Sequence, residues 1–281
     1  MEHGDPLVSA EWLKQHIQRP ELKVLDATWV PPFLKDRDSG RTCYENGHIP
    51  GAVYFDIDEI ADQDSDLSHM LPDISDFDAM FGALGIGDGD EVVVYDNNNF
   101  FASARVWWTL RAMGLTEVAV LDGGLKAWQD IGGPIETEIP APEPKAYTAM
   151  FLRRFVRNMD EMRTHVEAGD QPILDARDNG RFNGTSPEPR AGLPSGHMPG
   201  SVCVPASSLL TPNGKMKSAD ALAEILGDYK EGPVITTCGS GVSAAVIALA
   251  LARIGNYHAA IYDGSWSEWA AHSDNPIATT A

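Results

Sequence analysis

Of the three cysteines in the 281-residue chain, Cys238 stands in the setting best suited to chemistry. It opens a six-residue loop, CGSGVS, between the apolar runs VITT and AAVIALALARIG. That order predicts a buried strand, a tight turn and a helix. Gly239 and Gly241 let the loop curl so that successive backbone N–H groups face one centre, and the N-terminus of the following helix adds partial positive charge at the same point. Sulfur held there is favoured as thiolate, the form that attacks electrophiles. The chemistry this predicts is nucleophilic, with the loop as a nest for an anion carried on Cys238. The alternative is a structural cysteine at a strand end, against which the glycine-rich turn argues.

A loop of this kind needs a sheet behind it, and the chain supplies two. KVLDA at 23–27 returns as PILDA at 172–176, and GHIPG at 47–51 as GHMPG at 196–200, both at an offset of 149 (174 − 25 and 197 − 48). The stretch from Glu91 to Trp128 parallels that from Gly232 to Trp269 at an offset of about 141. Such self-similarity predicts two homologous domains. They are placed at 1–138 and 150–281, joined by a proline-rich linker at 139–149. Within each copy, short runs rich in β-branched residues (LKVLDA, EVVVYD and VAVLDG; then PILDA, SVCVP, PVITT and AAIYDG) read as buried parallel strands. Helices are expected between them: Ala10 to Gln18 after a Ser9 cap, Phe77 to Leu84 after Ser75, Ser103 to Met113, Met159 to Glu167, Ala219 to Leu226 after Ser218, and Ser243 to Ile254. Alternating strand and helix imply an α/β fold in which each domain is a parallel sheet with helices on both faces. Ligands in such sheets sit beyond the carboxyl ends of the strands, where Cys238 falls.

Composition narrows the partners. With 21 basic and 41 acidic residues the formal charge is −20, so nucleic acid and anionic membrane are poor partners. Residues 1–138 carry 9 basic against 26 acidic side chains and residues 139–281 carry 12 against 15, giving −17 and −3. A small anionic substrate is repelled least by the second copy. An odd number of cysteines at unrelated spacings makes no disulfide framework and fits a reducing compartment. The segment MEHGDPLVSAEWLK lacks the marks of a leader, and no apolar run reaches the roughly 18 residues of a membrane span. A cytoplasmic protein is expected.

Tandem copies, GHxPG in each, and a cysteine-initiated loop before a helix resemble the two-domain rhodanese-type sulfurtransferases. CGSGVS is similar to the CG[ST]GVT loop of that family's 3-mercaptopyruvate branch, with Ser243 in place of threonine. FDID at 55–58, SHMLP at 68–72, GRFNG at 180–184 and PEPR at 187–190 are further matches, and the likeness covers essentially the whole chain. It implies tandem rhodanese-like domains, the first inactive and the second catalytic. It also implies sulfur transfer from 3-mercaptopyruvate to Cys238 as a persulfide with release of pyruvate, then to a thiol, reduced thioredoxin or, in an assay, cyanide. Neither cofactor nor metal is expected. Gly239, Ser240, Gly241, Val242 and Ser243 would line the donor, and Arg181 and Arg190 match the family's carboxylate-binding arginines. A guanidinium fork suits a 2-keto acid. Asp58, His69 and Ser240 would form a relay that protonates the departing enolate.

Two alternatives stay open, a thiosulfate sulfurtransferase and a sulfur carrier or partner-binding module with negligible turnover. Thiosulfate-type members place basic residues in the loop, and none stands between Cys238 and Ser243. Phosphatases of the same fold need Cys-x5-Arg, and the sixth residue after Cys238 is Ala244. The repeat sorts the remainder. Asp96 takes the place of Cys238 in the first copy; the 149 offset sets Pro32 opposite Arg181 and Arg41 opposite Arg190. His48 and His197 recur and read as turn residues, and Asp122 and Asp263 read as structural. Cys203 is expected in the core, Cys43 in a polar loop, and Trp107 and Trp108 in the core or an interdomain interface.

Overall fold

The computed structural model describes residues 5–280. Residues 1–4 and Ala281, which include the outer ends of both expected domains and the start of the segment read for a leader, lie outside the described residues. The chain divides into two units. Unit 1 is Met1–Asp64, Leu71–Leu152 and Pro212–Met216; unit 2 is Ser65–Met70, Arg153–Thr211 and Lys217–Ala281.

Unit 1 runs β1 (Leu7–Val8), α1 (Ala10–His16), β2 (Leu22–Asp26), α2 (Gly40–Asn46), β3 (Val53–Tyr54), α3 (Ile74–Ala83), β4 (Glu91–Tyr95), α4 (Ser103–Ala112), β5 (Val118–Leu121) and α5 (Gly124–Asp130). All five strands are parallel, in the order β1-β5-β4-β2-β3. Side chains alternate across a strand, so β4 faces two ways. Val93 and Tyr95 join Leu13 of α1 and Trp128 of α5 in one cluster. Val92 and Val94, equally buried, point to the other face, and α4 packs against β4 and β5.

Unit 2 repeats the plan: β6 (Val156–Arg157), α6 (Met159–Ala168), β7 (Ile173–Asp175), α7 (Asn179–Asn183), β8 (Val202–Cys203), α8 (Ala219–Leu226), β9 (Val234–Thr237), α9 (Ala244–Arg253), β10 (Ala259–Tyr262) and α10 (Ser265–Trp269). Its strand order, β6-β10-β9-β7-β8, is that of unit 1. Met162, Ile173, Ile235, Tyr262, Trp266 and Trp269 form a core cluster. Helix α9 is buried on every side from Ala244 to Ala252, which accounts for its unbroken apolar sequence.

Several expectations shift. Helix α3 begins at Ile74, one residue before Ser75, behind Asp73, and α9 begins at Ala244 with no capping bond from the Ser243 side chain. SVCVP is an edge strand with Val202 exposed and Cys203 half-buried, because β8 has only one neighbour, β7. Cys43 lies on α2 and not in a loop. Trp107 and Trp108 are both buried on α4.

Candidate active site

Parallel pairing sets Asp26 beside Tyr95 in unit 1 and Asp175 beside Thr237 in unit 2, so the loops after β4 and β9 leave from matching strand ends. The match is atomic. The N–H of Leu125 donates to the Asp96 carbonyl at 3.0 Å, and that of Trp266 to the Cys238 carbonyl at 3.0 Å. Asp96 therefore stands where Cys238 does. In unit 1 its carboxylate is ringed by backbone donors: Oδ1 accepts from Asn98 at 3.1 Å and Phe100 at 3.2 Å, and Oδ2 from Ala102 at 3.1 Å and Ser103 at 2.8 Å. The last two open α4. This strand-loop-helix turn collects four N–H groups on one anion, as loop geometry and helix dipole require.

In unit 2 that position belongs to a thiol. Cys238 is buried, and its N–H donates to Ser265 Oγ at 3.2 Å, whose hydroxyl donates to the Tyr262 carbonyl at 2.8 Å. Ser265 takes φ of 50°, outside the usual range for a non-glycine residue, to serve both. The Gly239 carbonyl accepts from Ser267 N–H at 2.9 Å and Ser267 Oγ at 2.6 Å. Gly241 has φ of 77°, which only glycine adopts without strain. Ser240 and Val242 are buried, and Ser243 is partly so.

Both candidate arginines reach this loop. A Cβ on Gly239 would lie 2.9 Å from Arg181 Nη2 and 3.6 Å from Arg190 Nη1, so glycine here lets two guanidiniums approach the backbone next to Cys238. Arg181 extends from α7, whose first turn is capped by the Asp178 carboxylate accepting from Arg181 N–H at 3.0 Å. Its Nε and Nη2 donate to Glu188 Oε2 at 3.0 and 2.5 Å. Glu188 Oε1 accepts from Arg177 Nη1 at 2.7 Å, and Arg177 donates to both oxygens of Asp175 and to the Gly196 carbonyl. The Arg177 guanidinium also lies 4.2 Å from the centre of the Trp266 ring.

These supporting residues carried a signal. Asp26 accepts from Thr28 N–H and Asp175 from Arg177 N–H, so the 149 offset holds there (177 − 28) and marks Arg177 as a charge found only in the second copy. Past that point the offset misleads. Both GHxPG histidines bond a carbonyl on the preceding short helix and stack on its ring: His48 with Tyr44, four residues away, and His197 with Phe182, fifteen residues away. Tyr44 and Phe182 are therefore equivalent, and unit 2 carries eleven more residues between that ring and its histidine (15 − 4). Unit 1 has its own eleven extra residues before α2, so the two changes cancel and the offset returns to 149 at the histidines. Arg41 is thus no counterpart of Arg190. It lies on α2, paired with Glu59 at 3.0 Å, whereas Arg190 and Glu188 belong to the added segment.

His69 lies in Ser65–Met70 of unit 2, is buried and has φ of 66°. Asp58 lies in unit 1, where its Oδ2 accepts from Trp29 Nε1 at 2.6 Å.

The rhodanese-like domain family matches residues 9–131 and 158–272. The chain therefore belongs to the rhodanese family, as a tandem pair. A 3-mercaptopyruvate sulfurtransferase of Escherichia coli K12 is 40% identical over 276 residues, 96% of each chain. A thiosulfate sulfurtransferase of Rattus norvegicus is 40% identical over 273 residues, 94% of this chain and 91% of the other. The crystal structure of SseA from Escherichia coli, titled as a 3-mercaptopyruvate sulfotransferase, superposes with a TM-score of 0.84 at 36% identity, covering 93% of this chain and 99% of that one.

Proposed function

We propose that this chain is a 3-mercaptopyruvate sulfurtransferase with Cys238 as nucleophile. The observation that carries the reading is the placement of Cys238 at the strand end whose twin in unit 1 wraps four N–H groups around a carboxylate, with Arg181 and Arg190 beside the next residue. The Cys238 thiolate attacks the donor sulfur, and the C–S bond breaks with its electron pair moving to carbon as the enolate of pyruvate. The proton leaving the donor thiol balances the one delivered to that carbon, so the products are pyruvate and a persulfide anion held by the loop. Arg181 and Arg190 take the donor carboxylate. Ser240, His69 and Asp58 are assigned to proton transfer, with Gly239, Gly241, Val242 and Ser243 shaping the nest. An acceptor thiolate, of a small thiol or reduced thioredoxin, or cyanide in an assay, then attacks the outer sulfur and restores Cys238.

The 40% identity to a thiosulfate sulfurtransferase favours a second donor, thiosulfate, which would leave as sulfite. Three free cysteines fit a reducing, cytoplasmic setting, and among the described residues no helix is long and apolar enough to cross a membrane. Adding 3-mercaptopyruvate should release pyruvate and increase the mass at Cys238 by about 32 Da, one sulfur atom. Turnover by a Cys238→Ser variant would end the proposal, and persulfide formation without turnover on any acceptor would favour the carrier reading.

A further inference from the structure

Four charged side chains alternate in sign behind the Cys238 loop: Asp175, Arg177, Glu188 and Arg181. Their formal charges cancel. The first three side chains are sealed, at 1%, 0% and 2% exposure, while Arg181 keeps 20% and places Nη2 against Gly239. Glu188 is the hinge of the set, with one carboxylate oxygen on each arginine. It sits in the eleven-residue addition that unit 1 lacks, so it serves something the inactive copy does not need. A sealed carboxylate that merely neutralised Arg177 would have no reason to give its second oxygen to the partly exposed Arg181.

We propose that Glu188 is a positioning residue that sets donor selectivity: it holds Arg181 against the loop and cancels one positive charge there, biasing the site toward singly charged donors over doubly charged ones. This rests on the sulfur-transfer reading. An added unit of positive charge acts on a dianion with twice the Coulomb energy it exerts on a monoanion, so removing the Glu188 charge helps thiosulfate more than 3-mercaptopyruvate. Both donors deliver one sulfur to Cys238, one releasing pyruvate and the other sulfite, so persulfide formation compares them on one scale.

The test measures kcat/KM for each donor on the full chain, with cyanide as acceptor, at low and high salt. Glu188→Gln should raise the thiosulfate to mercaptopyruvate ratio by about fivefold or more, less so at high salt, where ions screen the half-open site. Glu188→Asp keeps the charge and shortens the reach, so it should raise KM for both donors and leave the ratio within about twofold. Parallel losses in the glutamine variant, a purely structural outcome, would overturn the proposal. A ratio that moves in the aspartate variant would overturn it too, and this arm decides the matter if the glutamine variant does not fold. A wild-type chain inactive with both donors would remove the sulfur-transfer reading and this inference with it, whereas an active wild type with an unmoved ratio removes this inference alone.

Discussion

One position of a repeated loop holds a carboxylate in unit 1 and a thiol in unit 2, and on the proposed reading the difference separates a structural turn from a reactive one. Asp96 is buried and serves four backbone N–H groups. Truncation to alanine leaves them without that acceptor, and each buried unsatisfied donor costs about 1–3 kcal/mol before relaxation. Asp96→Ala is accordingly expected to destabilise unit 1 by about 3 kcal/mol or more in denaturant titration, while Asp96→Asn, which keeps one acceptor oxygen, loses less. A cost below about 0.5 kcal/mol for the alanine variant would mean the N–H ring is not the frame it looks to be. Cysteine chemistry separates by setting as well. Burial foremost, with Asp175 nearby, pushes the Cys203 thiol up to about 11, and its Sγ donates to the Arg177 carbonyl at 3.5 Å.

At the scale of elements, local chemistry explains which parts were legible. Helices α1, α6 and α8 start where Ser9, Asn158 and Ser218 cap them with a side-chain bond. Helix α6 has the full reciprocal box, Asn158 Oδ1 accepting from Glu161 N–H at 3.0 Å and Glu161 Oε2 accepting from Asn158 N–H at 2.9 Å. Asn158→Ala is expected to cost about 1 kcal/mol of unit 2 stability, read as a shifted denaturation midpoint at constant slope. Helices α2, α5, α7 and α10 were not legible from periodicity, since five to seven residues hold at most two turns, and α1, equally short, was legible through its Ser9 cap. Strands β1, β3 and β6, two residues each, are defined by their neighbours more than by their own composition. The Cys238 loop was readable because the residues that shape it are consecutive. The Asp175–Arg177–Glu188–Arg181 chain was not, since charge pairing across a turn depends on where α7 ends. The two length changes flanking α2 and α7 also hid which segment was new.

For the molecule as a whole, the twin sheets treat the same buried aspartate differently. In unit 2 Asp175 is answered by the Arg177 guanidinium. In unit 1 the corresponding Asp26 has hydrogen bonds from Thr28 and Tyr95 but no cation paired with it among the described residues, and burial foremost, with Asp96 adding repulsion, holds its carboxyl above the ordinary value of 3.8. A carboxyl raised in the folded state favours folding below its unfolded value, and that contribution is lost as pH rises through the folded one. The melting temperature of the wild type relative to Asp26→Asn, which carries no charge, should therefore fall between pH 4 and neutrality. A constant difference across that range would show that Asp26 does not titrate with folding. The −17 carried by residues 1–138 includes such uncompensated groups, whereas the second copy, at −3, spends cations on its aspartates and on the loop.

The eleven residues added between Phe182 and His197 leave the sheet order and the histidine contact of unit 2 as they are in unit 1. That join works as a socket. A segment of different length can be seated there while the sheet order and the histidine stack stay in place, provided it still brings a carboxylate to the sealed Arg177, so on the proposed reading the surroundings of Cys238 can change while its frame does not.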